Sequence, residues 1–168
     1  MSKLKHQIVY YGNQTLKKVA EEVDSIDEET KKFTDEMFDL MYESNGIGLA
    51  APQIDIPKRI IVYDTGKEKG ALINPEIIQS STKQSSYEEG CLSLPGISKE
   101  VIRPAEVIVH GFSSENKKVV IKAKGLLATV LQHEIDHLNG VLFIDHLEDY
   151  LQKELRSLLK KIKKLNKE

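Results

Sequence analysis

The sequence lacks several features that mark out particular classes of protein. It contains one cysteine in 168 residues, which excludes an internal disulfide and fits a reducing compartment. No apolar run is long enough to span a membrane, and the first residues lack the pattern of a signal or transit peptide, so we expect a bacterial cytoplasmic protein without a membrane partner. Lys and Arg number 24 against 26 Asp and Glu, and the resulting net charge of −2 offers no overall attraction for free nucleic acid.

The composition is that of a globular protein. Hydrophobic residues make up 40% and charged residues 30% of a chain whose length suits one domain, residues 1–168. The charge is uneven, because residues 151–168 carry a net +5 and the other 150 residues carry −7. Apolar residues recur at three- and four-residue steps in this tail, which predicts a basic, amphipathic C-terminal helix. Such a helix either docks on the domain with its lysines in water or binds a partner.

Periodicity predicts the other elements. Ser25 and Glu28 have capping-box spacing, and the apolar residues after them share one face of a helix over residues 27–44. A helix over 125–138 is apolar on nearly every side in its first two turns, which indicates burial. Because strands do not alternate regularly with helices, we expect an α+β fold with mostly antiparallel sheets around this central helix. Strand-like runs lie at 59–63, 71–73, 106–110 and 118–121.

The most specific feature is an H-E-x-x-H sequence, residues 133–137, within the buried helix. Residues four apart share a helix face, so His133 and His137 can reach one metal ion while Glu134 lies beside a metal-bound water. Chance alone produces such a motif occasionally, but buried polar side chains need partners, and a metal ion satisfies both histidines at once. The pattern therefore indicates a metal site with an adjacent base.

The third ligand decides the chemistry, because a catalytic zinc-type site has three protein ligands and an open position. One protease pattern would place a histidine where this chain has Phe143. Cys91 is the better candidate, since Gly90 permits unusual backbone angles and Pro95-Gly96 implies a turn, and together these would hold the thiol on a constrained segment. The remaining alternatives are the downstream glutamates and isolated histidines: Glu148, Glu154, His6, His110 and His146.

Three segments resemble the motifs of peptide deformylases and occur in that family's order: GIGLAAPQ at 46–53, EGCLS at 89–93 and QHEIDH at 132–137. The similarity runs from about Ile8 to the final helix, so it covers essentially the whole chain, and it is greatest to the compact bacterial form with a helical C-terminus. No motif position departs from the family pattern.

The resemblance implies a role for each motif. Cys91, His133 and His137 would bind one divalent metal ion, Fe(II) in cells, although the same ligands accept Zn(II), Ni(II) or Co(II). Glu134 would act as general base and then general acid. The backbone N–H of Leu92 and the side-chain amide of Gln53 would stabilise the oxyanion. Residues expected to orient the ligands or one another are Glu89, Arg103, Gln132 and Asp136.

The resemblance also implies the substrate, an N-formylmethionyl peptide. Gly46, Ile47 and Gly48 would flank an extended peptide, as in strand addition, and Gly90 is also expected to contact the substrate. The methionine side chain would enter an apolar pocket that includes Ile47, Tyr87, Leu126, Thr129, Val130 and His133.

We therefore expect a metal-dependent hydrolase that removes the N-formyl group from nascent peptides and releases formate. One alternative is an H-E-x-x-H peptidase whose third ligand is His110 or Glu148. The other is a non-catalytic binding module in which a closed, four-ligand metal site holds the fold. The +5 tail on a −7 body suggests that the C-terminal helix binds the polyanionic ribosome.

Overall fold

The computed structural model describes residues 6–167, which form three α-helices and seven strands joined by short 3-10 turns. The helices are α1 Glu28–Glu43, α2 Gly125–Leu138 and α3 Asp149–Lys163. The strands are β1 Gly48–Ala50, β2 Ile60–Asp64, β3 Lys69–Ser80, β4 Gln84–Cys91, β5 Leu94–Pro104, β6 Glu106–Phe112 and β7 Lys118–Lys124. The 3-10 turns are Gln14–Lys17, Ala51–Ile54, Phe143–His146 and Lys164–Lys167.

All strand pairs between these elements are antiparallel. Five strands form one sheet in the order β1-β2-β3-β6-β7, and β4 and β5 form a separate hairpin. Strand β2 shows why the larger sheet is stable: Ile60 and Val62 belong to a buried cluster with α1, while Ile61 and Tyr63 belong to a second cluster with α2. Alternate side chains point to opposite faces, so one helix covers each face of the sheet. The predicted α+β fold with antiparallel sheets around a buried helix is confirmed.

The N-cap of helix α1 lies two residues after the predicted one. Asp27, rather than Ser25, is the N-cap: its carboxylate accepts from the Thr30 N–H at 3.2 Å, and the Thr30 hydroxyl accepts from the Asp27 N–H at 3.3 Å. The predicted pairing of Ser25 with Glu28 was wrong because threonine at the third helical position closes the reciprocal pair equally well.

The hairpin of β4 and β5 was not predicted, and it corrects the expected geometry around the cysteine. The turn lies at Leu92 and Ser93, because Cys91 pairs with Leu94. Pro95-Gly96 is instead part of an irregularity within β5, where Gly96 has φ +81°. Gly90 has no left-handed backbone and lies within β4, so the expectation of unusual angles at Gly90 was wrong. The constraint on the thiol comes from a two-residue hairpin turn.

Helix α3 packs against this hairpin through one apolar stripe. Leu155, Leu159 and Ile162 are buried in a cluster that also contains Leu94 and the partly buried Cys91. A fully buried leucine or isoleucine contributes about 1.5–3 kcal/mol, so this stripe contributes to holding the hairpin in place. The predicted basic helix is thus docked with its lysines in water. Across residues 6–167, none of the helices has the length and apolar character needed to cross a bilayer.

Candidate metal centre

Helix α2 brings two imidazole rings to one place because it is buried along most of its length. His133 and His137 are 7% and 1% exposed, and their Nε2 atoms lie on the side of the helix that faces the β4–β5 hairpin. The turn after β4 places the Cys91 sulfur 3.4 Å from His137 Nε2. One donor atom from each of Cys91, His133 and His137 lies within 4.8 Å of the other two. The structure therefore joins the cysteine and histidines expected to bind metal.

This donor set fits a divalent transition metal. A thiolate and two imidazoles suit iron, zinc, nickel and cobalt, and three protein donors leave a coordination position for water. Burial lowers the pKa of His137 well below its ordinary value, which favours the neutral ring that binds metal. Burial acts in the same direction on His133, but the charge of Glu134 and hydrogen bonds with Cys91 and Glu89 outweigh it and raise the pKa of His133. A metal ion must displace that proton on binding.

A buried ion pair orients His133. Its Nδ1 atom lies 3.0 Å from Glu89 Oε1, and Arg103 donates to both oxygens of Glu89 at 2.7 and 2.9 Å. Burial alone would raise the pKa of Glu89, but the hydrogen bonds with His133 and Arg103 hold it below its usual range. A carboxylate that accepts the Nδ1 proton fixes the ring so that Nε2 faces the cluster. Glu89 and Arg103 thus occupy the orienting positions predicted for them.

Glu134 lies beside the cluster in a dry environment. Its side chain is almost fully buried, Oε2 lies 4.0 Å from His133 Nε2, and Oε1 has no hydrogen-bond partner among residues 6–167. Burial is the main cause that raises the pKa of Glu134 to about 7. A nearby dication would favour the ionised form, so this carboxyl can accept a proton at neutral pH when a metal is bound.

The absence of a side chain at Gly48 leaves room for the carboxylate of Glu134. A Cβ atom at Gly48 would lie 2.5 Å from Glu134 Oε2, closer than two such atoms can approach. A Cβ at Gly46 would lie 2.9 Å from Leu92 Cδ1. The two glycines were expected to admit a peptide backbone; the structure adds that they make room for the carboxylate and for the residue after the cysteine.

The side chain of Gln53 is held with its amino group towards the cluster. Gln53 Oε1 accepts from the Ala50 N–H at 2.9 Å, and Nε2 lies 3.5 Å from Cys91 Sγ and 3.4 Å from Ser93 Oγ. The carbonyl end is therefore occupied by backbone, and the donor end points to the turn that carries Cys91 and Ser93.

A cavity of about 370 Å³ opens beside the cluster. Gln53, Leu92, Cys91, His133 and Glu134 line it together with every residue predicted to bind substrate: Gly46, Ile47, Gly48, Tyr87, Gly90, Leu126, Thr129 and Val130. Sequence reasoning missed several other lining residues, mostly on the unrecognised β4–β5 hairpin and next to the first motif: Asn45, Glu88, Leu94, Gly96 and Ile97.

The other residues considered from the sequence lie away from the metal donors. Gln132 donates to the carbonyls of Pro104 and Ala128, both at 3.0 Å, so it ties α2 to the end of β5. Glu148 and Glu154 are exposed at the start of α3 and within it, outside the donor cluster. The spare histidines contact carboxylates instead: His6 with Glu36, His110 with Glu76 and His146 with Asp136.

The family described as polypeptide deformylase matches residues 5–153. The chain belongs to the polypeptide deformylase family. A peptide deformylase of Brucella suis biovar 1 is 47% identical over 163 residues, which cover 94% of this chain and 91% of that protein. One of Acetivibrio thermocellus is 44% identical over 156 residues, covering 93% and 91%.

Solved structures agree with this assignment. A crystal structure of a peptide deformylase from Legionella pneumophila matches with a TM-score of 0.88 and 41% identity, covering 95% of this chain and 96% of that one. The peptide deformylase of Thermus thermophilus matches with a TM-score of 0.91 and 32% identity, covering 96% and 99%. The resemblance seen in the three motifs is confirmed. As a member of a metal-dependent deformylase family, the chain is an enzyme that deformylates nascent peptides.

Proposed function

We propose that the protein hydrolyses the N-formyl group of formylmethionyl peptides with a metal held by Cys91, His133 and His137. One observation carries the proposal: three suitable donor atoms lie together beside a cavity lined by Cys91, His133 and Glu134, and the buried Oε1 of Glu134 has no hydrogen-bond partner within residues 6–167. A closed structural metal site needs no base beside its ligands. The proposed catalytic unit is the whole chain, because α3 and the hairpin that carries Cys91 share one hydrophobic cluster.

The residues of this chain divide the reaction between them. When bound, a divalent metal acts as a Lewis acid and makes a water nucleophile available at neutral pH. Glu134 accepts the proton released as water attacks the formyl carbon, and then donates it to the leaving amine nitrogen as the C–N bond breaks. Gln53 Nε2 and the backbone N–H of Leu92 donate to the oxyanion, and one such donor is worth about 3–4 kcal/mol in a transition state. The products are formate and a free amino terminus.

The shape of the site supports a small acyl group and an apolar first side chain. Leu126, Val130 and Ile97 provide apolar cavity wall near the cluster, which suits the methionine side chain. Gly48 leaves no spare space beside Glu134, so the acyl pocket should accept formyl and exclude acetyl. We expect N-acetylmethionyl peptides to be hydrolysed at least about 100-fold more slowly, since a 1 Å misplacement can cost that much.

We propose Fe(II) as the native metal and the bacterial cytoplasm as its location. The proposal follows the family resemblance, and it is consistent with a thiolate ligand that a reducing compartment keeps unoxidised. Zn(II), Ni(II) and Co(II) would bind the same ligands.

The test is formate release from an N-formylmethionyl tripeptide by protein purified without oxygen and loaded with Fe(II), Ni(II) or Zn(II). We expect turnover by the parent and a loss of between about 10²- and 10⁴-fold in Glu134→Ala, which removes the base without removing a metal ligand. Equal turnover by parent and variant would contradict the role of Glu134. Cleavage of casein or of an unformylated peptide at a similar rate would favour a general peptidase instead.

We further propose that α3 binds the ribosome. The exposed side of this helix carries Lys153, Arg156, Lys160, Lys161 and Lys163, and the 3-10 turn after it adds Lys164, whereas the rest of the chain is acidic. Neutralising several phosphates with such side chains gives binding that weakens steeply with salt. Deleting residues 151–168 would be a poor test, because Leu155 and Leu159 support the hairpin that carries Cys91.

Charge reversal is the cleaner experiment. The triple variant Lys160→Glu, Lys161→Glu, Lys164→Glu should lose most ribosome affinity in sedimentation and keep its tripeptide kinetics within about twofold, since exposed substitutions away from the site have small effects. A matched control reverses three exposed lysines on strand β7: Lys118, Lys122 and Lys124. Equal affinity of the two triple variants would contradict a specific role for α3.

A further inference from the structure

His146 is a half-exposed histidine that the reaction does not use. Its Nε2 atom lies 2.8 Å from Asp136 Oδ2, and its side chain is 38% exposed. A carboxylate can only accept, so the imidazole donates this hydrogen bond. His146 ends the 3-10 turn Phe143–His146, which follows α2. Phe143 and Ile144 of this turn belong to the hydrophobic cluster that the partly buried Cys91 also contacts.

The hydrogen bond from His146 is the member nearest the surface in a continuous series of side-chain contacts. Asp136 Oδ2 also accepts from Arg103 Nη1 at 2.9 Å. Arg103 holds both oxygens of Glu89, and Glu89 lies 3.0 Å from His133 Nδ1. We name His146, Asp136, Arg103, Glu89 and His133 the relay, because they connect a surface imidazole with a metal-ligand imidazole. The three side chains between the two imidazoles become progressively less exposed, from 23% at Asp136 to 5% at Arg103 and 4% at Glu89.

We propose that His146 is a positioning residue for the metal centre, acting through the relay to hold His133 in its ligating orientation. The proposal rests on the metal site assigned above. Arg103 is shared between two carboxylates, and the exact direction of its guanidinium depends on where Asp136 lies. Asp136 is the most exposed of the relay carboxylates, so without a second partner its side chain can turn towards water. His146 holds the same oxygen, Oδ2, that Arg103 uses.

Loss of His146 should therefore loosen the buried half of the relay. If Asp136 moves, Arg103 loses the hydrogen bond at Nη1. The guanidinium then lacks the contact that sets the direction of its two hydrogen bonds to Glu89. Glu89 then holds the Nδ1 proton of His133 less rigidly. Removing a group directly bonded to a metal ligand costs roughly 10- to 100-fold in metal affinity; at three steps' distance we expect about a threefold to tenfold faster metal release.

The experiment uses Co(II)-loaded full-length protein, because a cobalt–thiolate site can be followed by its visible absorption and by transfer of the metal to a chelator. Four proteins are compared: the parent, His146→Ala, His146→Gln and His110→Ala. The glutamine variant retains an N–H donor of similar reach. His110 is a matched control, since its Nε2 atom lies 3.1 Å from Glu76 and its side chain is 35% exposed, but it belongs to β6, away from the metal donors.

We expect His146→Ala to release Co(II) threefold to tenfold faster with an altered absorption band, and we expect His146→Gln and His110→Ala to match the parent. Release from His146→Ala at the parent rate with an unchanged spectrum would overturn the proposal. Equally fast release from His146→Ala and His110→Ala would also overturn it, because the effect would then not depend on the relay. A parent that binds no Co(II) would refute the metal site itself, an outcome distinct from these two.

Discussion

Helices α2 and α3 are nearly equal in length, at 14 and 15 residues, but their polar side chains lie in opposite environments. Helix α2 buries Gln132, His133, Glu134 and His137, and each of them contacts a defined partner or faces the cavity. Helix α3 keeps its charges in water and buries three apolar residues. Burying a polar group is costly, so polar residues on a buried helix indicate a site, whereas the exposed lysines of α3 carry no such cost.

The largest expected contrast is between two arginines. Arg103→Ala removes the buried cation that hydrogen-bonds both Glu89 and Asp136, which should lower the free energy of unfolding by about 3–5 kcal/mol. Arg156→Ala on α3 removes an exposed charge and should cost less than about 0.5 kcal/mol. Denaturant unfolding of both metal-free variants measures the difference. Similar losses of unfolding free energy in the two variants would contradict the difference between the buried charges that contact α2 and the exposed charges of α3.

A second contrast is between two glycines. Gly48→Ala would push a methyl group against Glu134 and should lower kcat/KM by roughly 100-fold, with kcat carrying most of the loss. Gly66→Ala lies in an exposed turn with φ +91° and open space around it, so it should cost about 1 kcal/mol of stability and leave turnover unchanged. Full activity of Gly48→Ala would show that the base does not need this space.

A smaller effect concerns the pH dependence of the metal-free protein. The pKa of Glu134 is raised to about 7 in the folded state, so between its ordinary value near 4.5 and 7 the folded chain binds a proton that the unfolded chain has lost. Stability should therefore fall as pH rises through this window, by about 3 kcal/mol. Thermal unfolding of parent and Glu134→Gln, both metal-free, isolates this contribution. A difference between the two that is independent of pH would contradict the raised pKa.

The helices and strands that were predicted correctly are those for which the local sequence pattern and the burial of the segment indicate the same structure. Helix α2 begins at Gly125 and ends at Leu138 as expected, because its apolar residues and its burial point to the same structure. Strands β2, β6 and β7 were found from runs of β-branched residues. The β4–β5 hairpin was missed because β4 reads QSSYEEGC and β5 contains Pro95 and Gly96, so neither shows the usual strand composition.

Local motifs and the family resemblance predicted which residues belong to the site. They did not predict which of these residues pair when the partners are distant in sequence. The histidines and Glu134 lie within five residues, Cys91 was favoured from its neighbourhood and then from the family resemblance, and the resemblance alone supplied Gln53. The bond between Arg103 and Asp136 joins residues 33 apart, and that between His133 and Glu89 joins residues 44 apart. No spacing rule links such positions. The orientation of the ligands therefore became visible only in the folded structure.

X-ray absorption spectroscopy of the Zn(II)-loaded parent and Cys91→Ser tests the open metal centre most directly. We expect one sulfur and two imidazole nitrogens with one exchangeable oxygen ligand in the parent, and loss of the sulfur alone in the variant. A parent site with three imidazoles, or with four protein ligands and no exchangeable position, would contradict the proposed open metal centre.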